Sequence, residues 1–171
     1  FSVGIKGNGT LWTWGLNNWG QLGTGTSIQR SNLPIQIGTE QIWTSIACGS
    51  NHTIALKANG TLWGWGTNEN GVLAQNTDTG GISSPVQVYG GGTTWSQLPN
   101  KLGTGSRSAF AIKTDGTLWT WGINTAGVLG LNAPVNSDKS SPTQIPGTTW
   151  SKIASGGGQN ATGVIKTDGT L

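Results

Sequence analysis

The sequence predicts an all-β fold built from four-stranded antiparallel blades, on three observations. A motif recurs at a near-constant period, each period divides into short strand-like runs, and those runs are apolar or small on both faces. The motif is Gly9-Thr10-Leu11-Trp12, repeated as Gly60-Thr61-Leu62-Trp63 and Gly116-Thr117-Leu118-Trp119, and begun again at Gly169-Thr170-Leu171. A period of 50-odd residues is the length of one propeller blade.

Each element of the period follows in order. A Trp opens Trp-x-x-Ile/Leu at Trp43, Trp95 and Trp150. In the best-defined copy the runs 43–48, 52–57 and 61–65 are rich in β-branched, aromatic and aliphatic residues, with Gly-Ser-Asn and Ala-Asn-Gly between them, which reads as three strands. The second pair is joined at Asn8-Gly9, Asn59-Gly60, Asp115-Gly116 and Asp168-Gly169. This dipeptide predicts a type I′ hairpin turn with positive φ at both central residues. The hairpins fall at 3–15, 52–66, 109–122 and 163–171. After Trp-Gly (Trp14, Trp65, Trp121) comes Asn-x-x-Gly-x-Leu at Asn17, Asn68 and Asn124, then Pro-x-Gln at Pro34, Pro85 and Pro142. That last segment supplies the fourth strand, with Pro expected at its start, where no ladder donor is needed.

In Leu62-Trp63-Gly64-Trp65 the indoles face one side of the sheet and Leu62 the other. A sheet with two uncharged faces needs cover on both, and blade-on-blade packing in a β-propeller provides it. Nine of the ten Trp recur at framework positions, which assigns them to the core rather than to a sugar-stacking platform. Trp19, whose counterparts are Asn70 and Ala126, is the Trp that the repeat does not demand.

Ile46 to Leu56, a small-residue turn with Gly49 leading to His52-Thr53 and an aliphatic run, resembles the repeat of the regulator of chromosome condensation family. The Gly-Thr-Leu-Trp-x-Trp-Gly and Asn-x-x-Gly-x-Leu elements are similar to that repeat too, and the resemblance covers essentially all of residues 1–171. It implies a seven-bladed propeller, of which this chain would supply about three blades and no second domain. The His of the motif is replaced by Ser108 and Ala161, and the Gly at 23 and 130 by Ala74. The remaining blades are expected from the same longer chain.

Composition limits the chemistry. Charged residues are 9% of the chain and the net charge is +3, so the pI near 9.3 reflects few charges rather than a basic field, and no nucleic-acid partner is expected. No apolar run approaches the ~18 residues of a spanning helix, so no membrane insertion is expected. His52 and Cys48 are the only imidazole and thiol, and both belong to the repeat motif. No carboxylate pair, metal cluster or phosphate cradle stands out, so no catalytic, cofactor or metal residues are assigned. Residues 76–80 resemble the start of a calcium loop but lack its terminal Glu.

The chain is therefore expected to be a non-enzymatic protein-interaction or adhesion scaffold. Low charge and abundant Thr, Asn and Gly point to a segment of a bacterial or viral surface or structural protein, extracellular or in the virion. The resemblance offers an alternative, a small-GTPase nucleotide-exchange or chromatin-binding regulator. A second alternative is an enzyme or enzyme inhibitor whose active residues lie in other blades. Loops that vary on a repeated framework carry specificity, so an unidentified protein partner is expected to meet Trp19, Lys101 and Arg107. The two cations lie in or beside an insert at 99–105.

Overall fold

The computed structural model describes residues 1–90, 92–96, 102–155 and 162–171. The first blade has three strands in the order β1 (Ser2–Ile5), β2 (Leu11–Leu16), β3 (Arg30–Ile37). The second has four, β4 (Trp43–Cys48), β5 (His52–Lys57), β6 (Leu62–Thr67) and β7 (Gly81–Gln87). The third repeats the pattern with β8 (Leu102–Thr104), β9 (Ser108–Ile112), β10 (Leu118–Gly122) and β11 (Lys139–Ile145), and β12 (Trp150–Ser155) pairs with β13 (Thr162–Lys166) beyond it. All pairings are antiparallel between sequence neighbours. These are blades of a β-propeller, and no helix falls between Trp43 and Trp65.

The blades pack as their two-faced pattern requires. Ala55, Trp65 and Trp43 of the second blade join Leu11 and Ile37 of the first in one seam. The opposite face, Ile54, Leu56 and Leu62, packs on Trp95, Ala109, Ala111 and Trp121 of the third. Phe110, Ile112 and Leu118 carry the series on to Ile153. Trp65 and Trp121 are wholly buried. Each anchors its seam with an indole N–H, donated by Trp65 to the carbonyl of Gln21 at 2.9 Å and by Trp121 to that of Val72 at 2.8 Å.

The hairpin motif is a hydrogen-bond relay. The Oδ1 atoms of Asn8, Asn59 and Asp115 accept from the hydroxyls of Thr10, Thr61 and Thr117 at 2.7–2.8 Å, and each Thr oxygen accepts from Trp12, Trp63 or Trp119 Nε1 at 2.8–2.9 Å. In the last copy Asp168 Oδ1 accepts from Thr170. The Thr117 hydroxyl, with its backbone N–H, holds the Asp115 carboxyl below the usual range, and the Thr170 backbone N–H, with its hydroxyl, does so for Asp168.

Two local expectations are corrected. The turns are not type I′, because only the glycines Gly9, Gly60, Gly116 and Gly169 have positive φ. A bond from the Gly60 N–H to the Lys57 carbonyl closes a turn over Ala58-Asn59, and Gly60 follows in the left-handed region. This is the three-residue hairpin loop with a glycine bulge. The Asx side chain engages its own Thr and keeps ordinary φ. Nor does Pro start the fourth strand. Pro34, Pro85 and Pro142 sit inside β3, β7 and β11, within bulges opposite Trp14, Trp65 and Trp121. A bulge frees the ladder of a donor at that point.

The Asn-x-x-Gly-x-Leu motif has a structural explanation. Asn68 Oδ1 accepts from the Leu73 N–H at 3.0 Å while Nδ2 donates to the Thr77 carbonyl at 3.1 Å, clasping both ends of the loop after β6. Asn17 and Asn124 do the same for Leu22 with Ile28 and Leu129 with Pro134. Asn68 is 1% exposed, so Asn68→Ala strands the buried Leu73 N–H, leaving the exposed Thr77 carbonyl to water, and is expected to cost about 1–3 kcal/mol in equilibrium denaturation. A loss of a few tenths would show that the loop holds without its clasp.

Candidate functional site

Because neighbouring strands run antiparallel, the turn between the first two strands of a blade and the loop between its last two emerge at the same end. The short hairpins emerge at the other. On the first of these faces the blades are laced together. Ser50, in the β4–β5 turn, donates its N–H to the carbonyl of Ser106, in the β8–β9 turn, at 3.2 Å, and the two hydroxyls meet at 2.8 Å. Arg107 reaches Glu69 of the preceding blade at 3.5 Å, with both side chains about half exposed. Such a pair is weak in water and leaves both groups open to a partner.

Gly66 and Gly122 show why Trp-Gly recurs here. Their φ values are 104° and 99°, and a Cβ on either would overlap the carbonyl oxygen of Asn51 or Arg107. Those carbonyls accept the N–H groups of Thr67 and Ile123 at 2.9 Å. The Arg107 backbone is thus fixed while its side chain stays half exposed beside Glu69.

Trp19 lies on the same face, in the loop after β2, and is 50% exposed. The framework Trp are buried or half-buried. Its turn differs from its counterparts. Asn70 and Ala126 take left-handed φ near 60°, whereas Trp19 does not, and its N–H is bonded to Gln21 Oε1 at 2.8 Å. Gln21 is fully buried, and its Nε2 has no partner among the described residues. Beside Trp19 a cleft of about 590 Å³ opens between this loop and β7. The next junction carries an additional side-chain bond, Asn70 Nδ2 on Asp138 Oδ2 at 2.7 Å. Asp138 also accepts the Asn124 N–H, and its counterpart in β7 is Gly81.

The structure thus places Trp19 and Arg107 on one face, on the loops of the first and third blades. Lys101 lies outside the described residues. Gln21 and Gly81 were not singled out from the sequence. The signal was present in the repeat columns, where Gln21 stands against Val72 and Val128, and Gly81 against Asp138.

His52 is buried beneath the β4–β5 turn, its ring so close to Gly49 that a methyl there would overlap it. Neither ring nitrogen has a partner among the described residues. Burial pulls its pKa down to about 4, which keeps the imidazole neutral and fits a packing role. Cys48 is free and exposed. Among the described residues no three His, Cys, Asp or Glu side chains gather as a metal site, and no helix is long and apolar enough to cross a membrane.

Comparison with known proteins follows the same lines. The model of the regulator of chromosome condensation (RCC1) repeat matches residues 8–56 and 115–162, and a second model of that repeat matches 43–72. The chain is 34% identical to the Protein RCC2 homolog of Xenopus laevis over 77% of its length and 25% of that protein. It is 31% identical to the human X-linked retinitis pigmentosa GTPase regulator over 76% of its length and 12% of that protein. Among solved structures, Prp20p from Saccharomyces cerevisiae superposes with a TM-score of 0.78 at 21% identity, over 96% of this chain and 41% of that one. That structure was described together with binding to Gsp1p and histones. The chain spans about a quarter or less of the curated relatives it matches. These similarities overturn the expectation of an extracellular surface or virion protein. The sequence relatives are an RCC2 homolog and a GTPase regulator, not adhesins or fibres, and abundant Thr, Asn and Gly reflects the turns and relays of the repeat rather than a compartment.

Proposed function

The chain belongs to the regulator of chromosome condensation repeat family, and on that premise we propose that it is a non-enzymatic, protein-binding part of a regulator acting on a small GTPase or a chromatin protein. The observation that carries this reading is the gathering of residues the repeat does not dictate, Trp19 and Arg107 among them, on one rigid face. Fixed blades hold these loops, so little order is lost when a partner docks. The relatives' binding to Gsp1p and histones, and their designation as regulators, support the two partner classes. Exposed Trp and Arg are the residue types that most often dominate binding energy.

Titration of the chain with purified core histones and with small GTPases tests the proposal. One of the two is expected to bind, and Trp19→Ala or Arg107→Glu is expected to weaken it by about tenfold or more without changing the unfolding midpoint. Lys101→Glu is the third arm. Absence of binding to either class, or binding indifferent to all three substitutions, would overturn the reading.

A further inference from the structure

We propose that the cleft between the first two blades, lined by Asn18 and Gly20 on either side of Trp19 in sequence, seats an uncharged, amide- and hydroxyl-bearing peptide segment of the partner; this rests on the reading that the face binds protein. Three features converge on it. The cleft is lined by Asn18, Thr26, Ser27, Gln29 and Ser83, with no charged side chain among its walls. It therefore offers neutral donors and acceptors, which match peptide amides better than an acidic or basic tail. Its volume of about 590 Å³ is that of an ordinary ligand pocket. The Asn17 amide closes the loop, and the Gln29 and Ser83 carbonyls and the Thr26 hydroxyl are engaged within the fold, which leaves the side-chain amides of Asn18 and Gln29 and the Ser27 and Ser83 hydroxyls to face a ligand.

Secondly, both junctions are held by a backbone bond, Gly25 N–H to the Ser83 carbonyl here and Asn76 N–H to the Ser140 carbonyl at the next, but this one lacks its neighbour's side-chain lock. Between the second and third blades Asn70 and Asp138 form the lock. Here their places hold Trp19 and Gly81, where a Cβ would come within 3.3 Å of the Trp19 carbonyl oxygen. Gln21, in place of Val, accepts the Trp19 N–H and sets the turn in a different conformation. Three changes with one effect leave an indole half exposed beside an open cleft.

Thirdly, Leu16 and Ile28 are 46% and 38% exposed at the two ends of this same loop. An apolar ledge beside amides and hydroxyls suits a peptide, which carries aliphatic side chains on an amide backbone. A sugar ring carries only hydroxyls on its edge and is the less favoured occupant.

The test is selection from a display library of short random peptides on the intact chain. Enriched sequences are expected to be rich in Ser, Thr, Asn, Gln and aliphatic residues and poor in charges. Capture should change by less than about twofold between about 0.05 M and about 0.5 M salt, since screening acts on charges. The double variant Trp19→Asn with Gly81→Asp, which copies the neighbouring lock, should reduce capture by about tenfold or more. Ser83→Arg, at an exposed wall, fills the cleft and places a charge in its neutral lining, and serves if the double variant fails to fold. Enrichment of acidic or basic peptides, no enrichment, capture unchanged in both variants, or capture of simple glycans lost in the same variants would each overturn the proposal. Histone or GTPase binding that survives both variants would overturn this site alone. Peptide capture without either partner binding would overturn only the broader functional reading.

Discussion

Trp65→Ala is expected to remove about 3–5 kcal/mol of stability, the range for deleting a large buried aromatic side chain. The ring is 0% exposed, meets Trp43 edge-on at 6.1 Å and presses on the backbone of Gly23. Truncation also leaves the Gln21 carbonyl without the 2.9 Å bond from the indole. Because that carbonyl belongs to the preceding blade, the substitution loosens a junction rather than a single sheet. A domain of this kind has only about 5–15 kcal/mol in hand, so the chemical-denaturation midpoint should fall far. Trp63→Ala provides the comparison. Trp63 is half-buried beside the Lys57 ammonium, 3.9 Å from the ring centroid, and its loss should cost clearly less. Equal costs, or a cost below about 1 kcal/mol for Trp65, would contradict the seam described above.

Acid should destabilise the fold through His52. In the unfolded chain this imidazole takes a proton near pH 6.5, while in the folded one burial lowers the pKa to about 4. Between these values the unfolded state binds more protons, so stability falls as the pH is lowered through that window. It is complete above about pH 6.5. The whole interval amounts to about 3 kcal/mol, lost by about pH 4. Unfolding measured at a series of pH values should show this slope, and His52→Ser, which installs the residue of the third blade, should flatten it. A variant with the same slope as the parent would assign the acid sensitivity to other groups.

Much of the architecture was legible because the determinants are local and repeated. The Asx-Gly-Thr-Leu-Trp relay and the two-faced strands each need only residues a few positions apart. The turn type was misread because Asn-Gly suits two hairpin geometries, and the choice between them rests on whether the Asx side chain bonds its own Thr. The Pro bulge was missed for a related reason. Pro is acceptable both at a strand's start and within a bulge, and only the pairing with Trp65 or Trp121 shows which. At the candidate site, Trp19 stood out by failing to repeat. The roles of Gln21 and Gly81 depend on contacts between loops of different blades, which one column at a time does not reveal.

The prolines of β3, β7 and β11 bear on how such a molecule stays single. Each of these strands is the last in its sheet's order and would otherwise offer a free row of N–H and C=O groups, a template on which a strand from another molecule could grow. Pro34, Pro85 and Pro142 each delete a donor, and the bulge around them bends the row out of line. The outer rim of the three sheets that end in β3, β7 and β11 is thereby closed to polymerisation, by a device renewed in each of those repeats. Sheet edges so protected are unavailable for binding by strand addition, which leaves side chains on the loops as the means of recognition.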